Sequence, residues 1–263
     1  MVTGNNKIAV LIDGDNADAN LIEHVLNEAA KFGRVTIKRI YADFTTQQMS
    51  GWKDKLNSHA IRPIQKFAYT KGKNSTDSAL IIDAMDILHA KLVDGFCIVS
   101  SDSDYTGLAH RMREEGLFVM GIGKSHTPEA FVKACENFTY TEILVPKQSR
   151  NTQKAEEKQE ITFSTKKQNL KTSKQQKTIS VPKEGLTNLV TKKPINIDSV
   201  NNAFEMVYDD ITGMALASQL GAALKKVDPT FDIRNYGHSS FRKFLEALKP
   251  NFEIISRDRK SVV

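Results

Sequence analysis

Short apolar runs alternate with helical patterns through the first 145 residues of the chain. The run KIAVLID is almost continuously apolar, which is typical of a strand buried on both faces of a parallel sheet. The segment NADANLIEHVLNEAAKFG follows it with apolar residues at helical spacing. The same alternation gives four further strands, VTIKRIYAD, IRPIQKFAY, GFCIVSSD and LFVMGIG, and ends in a last helix, EAFVKACENF. It predicts that residues 1–145 form an α/β domain with a doubly wound, mostly parallel sheet.

The rest of the chain divides into a polar segment and a small helical region. Residues 146–193 are rich in Lys, Gln, Ser and Thr and show no sustained period, so we expect a flexible linker there. Periodicity returns in residues 194–263, where three short helices are predicted in DSVNNAFEMVYD, MALASQLGAALKKVD and SSFRKFLEALKPNFEII, the last ending in a short strand. We expect these helices to form a compact, winged-helix-like domain.

The predicted linker holds the excess positive charge of the chain. It contains 12 Lys and Arg residues against 4 Asp and Glu, whereas residues 1–145 contain 16 against 18 and residues 194–263 contain 9 against 9. A basic segment of this kind attracts polyanions without sequence preference. Two interpretations stay open, a nonspecific tether for nucleic acid and a solvated spacer with no contacts of its own.

Composition argues against several classes of protein. No apolar run approaches the ~18 residues of a membrane span, and the N-terminus lacks the basic and apolar regions of a secretory signal. We therefore expect a cytoplasmic protein with no membrane partner. Cys97 and Cys135 lie in apolar surroundings and are expected to be buried thiols. The six histidines have no metal-ligand spacing to a cysteine, which argues against zinc.

Aspartates follow the strands of the predicted sheet. Asp13 ends the first strand in LIDGDN, and Asp102 and Asp104 end the fourth strand in IVSSDSDY. In an open α/β sheet these two strands are expected to flank the point where the strand order reverses, so their ends should be neighbours. Asp77 lies in the first turn of the helix STDSALIIDAMDILHAKLVD, above the same edge of the sheet. The sequence therefore predicts four carboxylates in one pocket.

Carboxylates packed this closely repel one another unless a cation offsets the repulsion. Oxygen ligands without a nearby His or Cys favour Mg²⁺ or Mn²⁺. Such ions activate a water and stabilise the leaving oxygen when a phosphodiester is displaced in line. The pattern therefore points to phosphodiester hydrolysis.

Several aspartates also have simpler interpretations. Asp15, Asp18 and Asp104, each taken alone, are more typical of a helix cap or a turn. Asp83 and Asp86 are three residues apart in the long helix, which favours a solvated helix face. Asp43 follows the second strand and either faces the pocket or starts a turn.

Three runs in this region, IAVLIDGDN, KNSTDSALIIDAMDIL and IVSSDSDYTGLAHRMREEG, resemble NYN domains, a branch of the PIN-like nucleases, over nearly all of residues 6–145. In that family acidic residues bind a divalent metal and cut RNA. The resemblance implies a metal-dependent ribonuclease, which we expect to be an endoribonuclease. The catalytic residues and ligands of Mg²⁺ or Mn²⁺ that it implies are Asp13, Asp77, Asp102 and Asp104.

The same resemblance suggests roles for three further residues. Asn16 is expected to orient the Asp13 carboxylate or the phosphate. Lys71 and Lys73, in YTKGKNS just before Asp77, are placed to contact backbone phosphates. An exposed basic loop without that role is the alternative for these two lysines.

The C-terminal runs LGAALKKVDPTFD and YGHSSFRKFL resemble the LOTUS domain, also called the OST-type helix-turn-helix (OST-HTH), over roughly residues 195–263. Some members of that family bind RNA, including guanine-rich folded RNA, and others bind helicases, so the resemblance implies RNA or a protein as partner. An aromatic ring here would stack on a base, and cations would contact phosphates. The residues expected to contact RNA are Lys225, Lys226, Arg234, Tyr236, His238, Arg242 and Lys243. The residues expected to form the core are Phe231, Phe241, Phe244 and Leu245.

Two other functions stay open. The run LIDGDN contains the Asp-x-Asp of haloacid-dehalogenase-type phosphatases, in which Asp13 would be the nucleophile. However, Asn16 and Ala17 stand where that family usually has Thr or Val. The second alternative is an RNA-binding adaptor whose metal pocket is catalytically weak or inactive.

Overall fold

The computed structural model describes residues 6–67, 75–144, 194–209, 214–248 and 252. Six strands form one sheet in which every neighbouring pair is parallel. The strands are β1 (Lys7–Asp13), β2 (Arg34–Ala42), β3 (Arg62–Gln65), β4 (Gly95–Val99), β5 (Phe118–Gly123) and β6 (Asn137–Tyr140). Their order across the sheet is β3-β2-β1-β4-β5-β6. Strands β2 and β3 extend the sheet on one side of β1, and β4, β5 and β6 extend it on the other, so the strand order reverses between β1 and β4. The predicted doubly wound α/β fold is confirmed.

Five α-helices connect these strands and cover both faces of the sheet. They are α1 (Ile22–Ala29), α2 (Trp52–Ser58), α3 (Ser75–His89), α4 (Thr106–Glu114) and α5 (Glu129–Ala134). Alternate residues of β1 belong to two separate apolar clusters, because successive strand side chains point to opposite faces. Leu11 packs with α3, α4 and α5 on one face, whereas Val10 and Ile12 pack with α1 and α2 on the other. Burial on both faces explains the continuous apolar run of the first strand.

The last predicted helix of this domain is wrong in its second half. Helix α5 ends at Ala134, Cys135 is extended, and residues Asn137–Tyr140 form the sixth strand instead. The Phe138 ring lies directly against Gly121 of β5, where an added Cβ would come within 2.4 Å of the ring. Strand pairing and this close packing outweigh the helical spacing that continues through ACENF, because tertiary contacts override a weak local preference.

The C-terminal region contains three α-helices among its described residues, as predicted. They are α6 (Ile197–Glu205), α7 (Ala217–Val227) and α8 (Phe241–Ala247). Their apolar faces meet in one cluster that includes Val200, Leu224, Phe231 and Phe244, with Phe241 and Leu245 packed against it. The expected core residues of this domain are thus confirmed. The predicted linker, and all of the predicted terminal strand except Phe252, lie outside the described residues.

The expectation that the two cysteines are buried thiols is confirmed. Cys97 and Cys135 are both buried and unpaired, and burial raises the pKa of the Cys135 thiol to about 12. Within the described ranges, no helix combines the length and apolar character that crossing a bilayer requires.

Candidate metal centre

Asp13 is the last residue of β1, and its side chain is fully buried. Its Oδ2 accepts hydrogen bonds from the Ser100 hydroxyl at 2.8 Å and from Asn16 Nδ2 at 2.7 Å. Its Oδ1 accepts from the backbone N–H of Asp15 at 3.1 Å. Burial raises the pKa of Asp13, the hydrogen bonds from Ser100 and Asn16 oppose the rise, and the charge of Asp77 adds to it. Of the two roles considered for Asn16, the structure shows the contact that orients the Asp13 carboxylate.

Gly14 allows the chain to turn away from the sheet directly after Asp13. Its backbone N–H donates to the Tyr41 carbonyl at 2.9 Å. A Cβ at this position would lie 2.7 Å from the Ala42 Cβ and 2.9 Å from the Tyr41 carbonyl oxygen. Only a residue without a side chain can approach β2 this closely. The glycine in LIDGDN is therefore a requirement of the backbone path that places Asp13.

Asp102 and Asp104 lie on the loop that leaves β4. The Asp102 side chain caps the short helical turn Ser103–Tyr105 by accepting from the Asp104 backbone N–H at 2.9 Å. The Asp102 backbone N–H donates to the Ser100 hydroxyl oxygen at 3.1 Å. Ser100 therefore contacts both Asp13 and Asp102, and it holds the ends of β1 and β4 together.

Asp77 reaches the same edge of the sheet from the first turn of α3. The hydroxyl of the buried Tyr105 donates to its Oδ1 at 2.7 Å. Burial raises the pKa of Asp77, the hydrogen bond from Tyr105 lowers it, and the charges of Asp102, Asp104 and Asp15 raise it further. Burial and the carboxylates around Tyr105 also raise the pKa of its hydroxyl, so this group stays a neutral donor.

Three carboxylates converge at this point. Asp77, Asp102 and Asp104 each offer an oxygen, and these three atoms lie within 4.8 Å of one another. Asp13 is outside this group and is buried, although its charge interacts with that of Asp77. Carboxylate oxygens that lie this close together and remain accessible are the donor set that a hard divalent cation fits. Of the four carboxylates predicted to share one pocket, Asp77, Asp102 and Asp104 therefore meet, whereas the prediction that Asp13 offers an oxygen to the same group is not matched by the structure.

The lysines and arginines predicted to contact RNA occupy several different environments. Lys71 and Lys73 lie outside the described residues. Lys226, Arg242 and Lys243 are exposed, and the last two have local partners, Glu246 for Arg242 at 3.4 Å and Ser239 for Lys243 at 3.2 Å. Lys225 is exposed as well, with its Nζ 5.4 Å from the centre of the Phe32 ring.

Three other predicted RNA contacts have partners inside the protein. The Tyr236 ring is 7% exposed and packs against Phe231 and Phe244, with ring centres 5.8 and 5.5 Å away. The structure thus places Tyr236 in the core, not on a surface where a base would stack. His238 is half-buried, with its ring 5.8 Å from that of Phe244. Arg234 is engaged by two carboxylates, Asp232 at 2.6 Å and Glu28 at 3.0 Å.

The structure shows the hydrogen-bond partners of two further aspartates, Asp83 and Asp43. The interpretation of Asp83 as part of a solvated face is wrong, because its carboxylate accepts from Arg39 and from the Tyr41 hydroxyl and is only 23% exposed. These bonds attach α3 to β2. Asp43 starts a turn by accepting from the Thr45 backbone N–H at 3.1 Å.

Ser100 and Tyr105 were not predicted as part of the site, although both lie in the run IVSSDSDY. Ser100 could have been identified from its position, because a hydroxyl directly after a buried strand can donate a hydrogen bond to the carboxylate at the end of the neighbouring strand. Tyr105 gave no comparable signal, because an aromatic residue at the start of a helix is more often part of the core.

Comparison with known proteins identifies two domains. A family model described as the NYN domain matches residues 7–144, and one described as the OST-HTH/LOTUS domain matches residues 177–263. Among curated proteins, no sequence matches this chain.

Two solved structures show partial similarity. A protein of unknown function from Vibrio parahaemolyticus has 19% identity and a TM-score of 0.44, over 53% of this chain and 95% of that chain. A scyllo-inositol dehydrogenase from Lactobacillus casei has 12% identity and a TM-score of 0.28, over 60% of this chain and 42% of that chain.

Proposed function

Because this chain belongs to the NYN domain family and carries an OST-HTH/LOTUS domain after it, we propose that it is a divalent-metal-dependent ribonuclease. The observation that carries the proposal is the meeting of the Asp77, Asp102 and Asp104 oxygens within 4.8 Å of one another. They lie at the carboxyl ends of the strands beside the strand-order reversal, where open α/β sheets bind their ligands.

In this proposal Asp77, Asp102 and Asp104 hold Mg²⁺ or Mn²⁺. A bound divalent ion supplies an activated water and offsets charge on the phosphate. The protein contributes fixed ligand positions. Tyr105 holds the Asp77 carboxylate through its hydroxyl, and the Asp104 backbone N–H holds the Asp102 carboxylate. Ligands fixed in this way lose little conformational freedom when the ion binds.

Asp13 has a separate role in the proposal. Its oxygens already accept three hydrogen bonds, and its side chain is inaccessible to solvent. It would therefore contribute negative charge near Asp77 and not a ligand oxygen, and Ser100 and Asn16 hold its carboxylate in place. Burial of this kind does not suit the attacking nucleophile that a haloacid-dehalogenase-type phosphatase requires of Asp13.

The C-terminal domain supplies RNA affinity in this account. Lys226, Arg242 and Lys243 are exposed cations on it and are the residues we expect to contact phosphates. Contacts of this kind fix the position of the RNA without reading its sequence. Because they displace counterions from the phosphates, the affinity for RNA falls as the salt concentration rises. Lys71 and Lys73 remain predicted phosphate contacts on the NYN domain.

A cleavage assay tests the proposal. Purified full-length protein is incubated with end-labelled single-stranded RNA, structured RNA and single-stranded DNA, in Mn²⁺, in Mg²⁺ and in EDTA. We expect cleavage of RNA that requires the metal and is lost in Asp102→Asn. The control is Asp86→Asn, which changes an exposed aspartate of α3 outside the three-carboxylate group and should leave cleavage intact.

Further substrates separate this proposal from its alternatives. A circular RNA, which has no ends, is cut only by an endonuclease. If wild type and Asp102→Asn bind RNA equally and neither cleaves it, the protein is an RNA-binding adaptor and the proposal fails. Hydrolysis of a chromogenic phosphate monoester, with none of RNA, would instead support the phosphatase alternative.

A further inference from the structure

The loop 228–234 of the C-terminal domain contacts the edge of the NYN-domain sheet. Strand β6 pairs with β5 on one side only, so the N–H of Phe138 points away from the sheet. That N–H donates to the Pro229 carbonyl at 2.8 Å. The Thr230 side chain is hydrogen bonded with the Tyr140 hydroxyl, two residues further along the strand. The loop therefore satisfies polar groups of an edge strand that would otherwise face water or another chain.

The same loop provides a cation for a buried carboxylate of the NYN domain. Glu28 lies on α1 and is 6% exposed. One of its oxygens accepts from Arg234 Nη2 at 3.0 Å, and the other from Lys31 Nζ at 2.7 Å. A carboxylate buried without a cation is strongly unfavourable, so the arginine stabilises the position of Glu28.

Asp232 holds Arg234 in the orientation that reaches Glu28. Its Oδ1 accepts from Arg234 Nε at 2.9 Å, and its Oδ2 from Nη2 at 2.6 Å. Burial alone would raise the pKa of Asp232, but the hydrogen bonds and charge of Arg234 outweigh it and lower the pKa. A bidentate pair fixes the guanidinium plane, which leaves Nη2 directed at Glu28.

A third contact lies at the amino ends of the strands. Lys225 of α7 lies over the ring of Phe32, and that ring stacks on Phe118 at 5.1 Å. Phe118 is the first residue of β5, so this contact is at the amino ends of the parallel strands. The carboxylates of the metal centre are at the carboxyl ends.

We propose that residues 228–234 are an intramolecular docking loop that fixes the OST-HTH/LOTUS domain on the NYN domain, with the Glu28–Arg234 ion pair as its anchor. The two domains then form one body in spite of the long segment that connects them. Arg234 belongs to this interface and not to the RNA-contacting surface. The inference is independent of whether the metal centre is active.

Nuclear magnetic relaxation of backbone ¹⁵N in the full-length protein tests this directly. In the wild type we expect the same rotational correlation time for residues of both domains. In Arg234→Gln, and in Glu28→Gln from the other side of the pair, the shared value is lost and the C-terminal domain tumbles faster. The matched control is Arg242→Gln, which removes an exposed arginine of the same domain and keeps the shared value.

Dispersed amide signals from both domains show whether each variant remains folded. Measurement of RNA affinity then separates docking from RNA contact. Arg242→Gln should weaken RNA binding because it removes a phosphate contact, whereas Arg234→Gln removes no such contact. Independent tumbling of the two domains in the wild type would overturn the proposal. So would a shared correlation time that persists in both Arg234→Gln and Glu28→Gln.

Discussion

The Ser100 hydroxyl donates a 2.8 Å hydrogen bond to Oδ2 of Asp13 and so joins the ends of two adjacent strands. The oxygen of the same hydroxyl accepts from the Asp102 backbone N–H. A small neutral side chain thereby connects the buried carboxylate to the loop that carries two of the three converging carboxylates. The arrangement of the centre depends on this serine as well as on the aspartates.

Replacing Ser100 by alanine should lower the rate of RNA cleavage. Asp13 loses a donor, and a buried hydrogen bond to a carboxylate contributes about 1.5 kcal/mol, which corresponds to roughly tenfold in rate if it is realised fully in the reaction. The pKa of Asp13 should rise further, because the bond from Ser100 lowers it. The acid limb of the pH–rate profile should therefore move to higher pH.

The matched control is Ser101→Ala. Ser101 accepts from the Lys124 backbone N–H and is the next hydroxyl along the same loop. The Ser101→Ala variant should leave the position of the acid limb of the pH–rate profile unchanged. Equal profiles for Ser100→Ala and the wild type would show that Ser100 does not act through Asp13.

Replacing Tyr105 by phenylalanine should weaken metal binding with little change of fold. The ring stays in the core, but Asp77 loses the donor that holds it at 2.7 Å. We expect the affinity for Mn²⁺ to fall by roughly threefold to tenfold, since such a bond contributes about 1 kcal/mol. A calorimetric titration with Mn²⁺ measures this, and an unchanged affinity would exclude the positioning role.

Replacing Asp77 by asparagine should raise the melting temperature of the metal-free protein. The pKa of Asp77 is raised in the folded state, so its contribution to stability is fully present below the ordinary pKa of aspartate and is lost as pH rises through the raised value. At neutral pH the ionised carboxylate therefore opposes folding, and the neutral amide removes this penalty.

The same variant should also lose the increase in melting temperature that Mn²⁺ causes in the wild type, because a ligand stabilises only the state that binds it. Thermal unfolding at pH 7, with and without Mn²⁺, checks both effects. A lower melting temperature for metal-free Asp77→Asn would contradict the assigned repulsion among Asp77, Asp102 and Asp104.

Replacing Gly14 by alanine should destabilise the NYN domain and reduce cleavage together. The added Cβ would meet Ala42 at 2.7 Å, and overpacking of this kind costs about 1 to 3 kcal/mol. The added methyl group would displace the turn that directly follows Asp13. Gly107→Ala is the matched control, because nothing lies within 4 Å of its Cβ position in α4 and alanine favours a helix by up to about 1 kcal/mol. Urea unfolding should give opposite signs for the two variants.

Local patterns in the sequence were sufficient to predict the α/β architecture. Strands β1, β4 and β5 are continuous apolar runs, as expected of strands buried on both faces of a parallel sheet. Because parallel strands end at one edge, the sequence predicted that Asp13, Asp77, Asp102 and Asp104 would meet, and the last three do. Asp13 was placed at the correct strand end, but its burial depends on Ser100 and Asn16, whose contacts are set by side-chain orientation.

Features that depend on distant residues were not predictable. Strand β6 begins inside a helical spacing that continues through ACENF, and it forms because β5 offers a pairing edge. Arg234 has the composition of a phosphate contact, yet its partner Glu28 is 206 positions away in the sequence. No local pattern identifies a partner at that separation, so the charge was assigned to RNA.

The central claim is that Asp77, Asp102 and Asp104 share a divalent cation. Electron paramagnetic resonance of free Mn²⁺, titrated with protein, gives the affinity for wild type, for Asp77→Asn, Asp102→Asn and Asp104→Asn, and for the control Asp86→Asn. We predict binding by the wild type and the control, and a loss of at least about tenfold in affinity, or about 1.4 kcal/mol, in each of the other three. Equal Mn²⁺ affinity in all five proteins would contradict the claim.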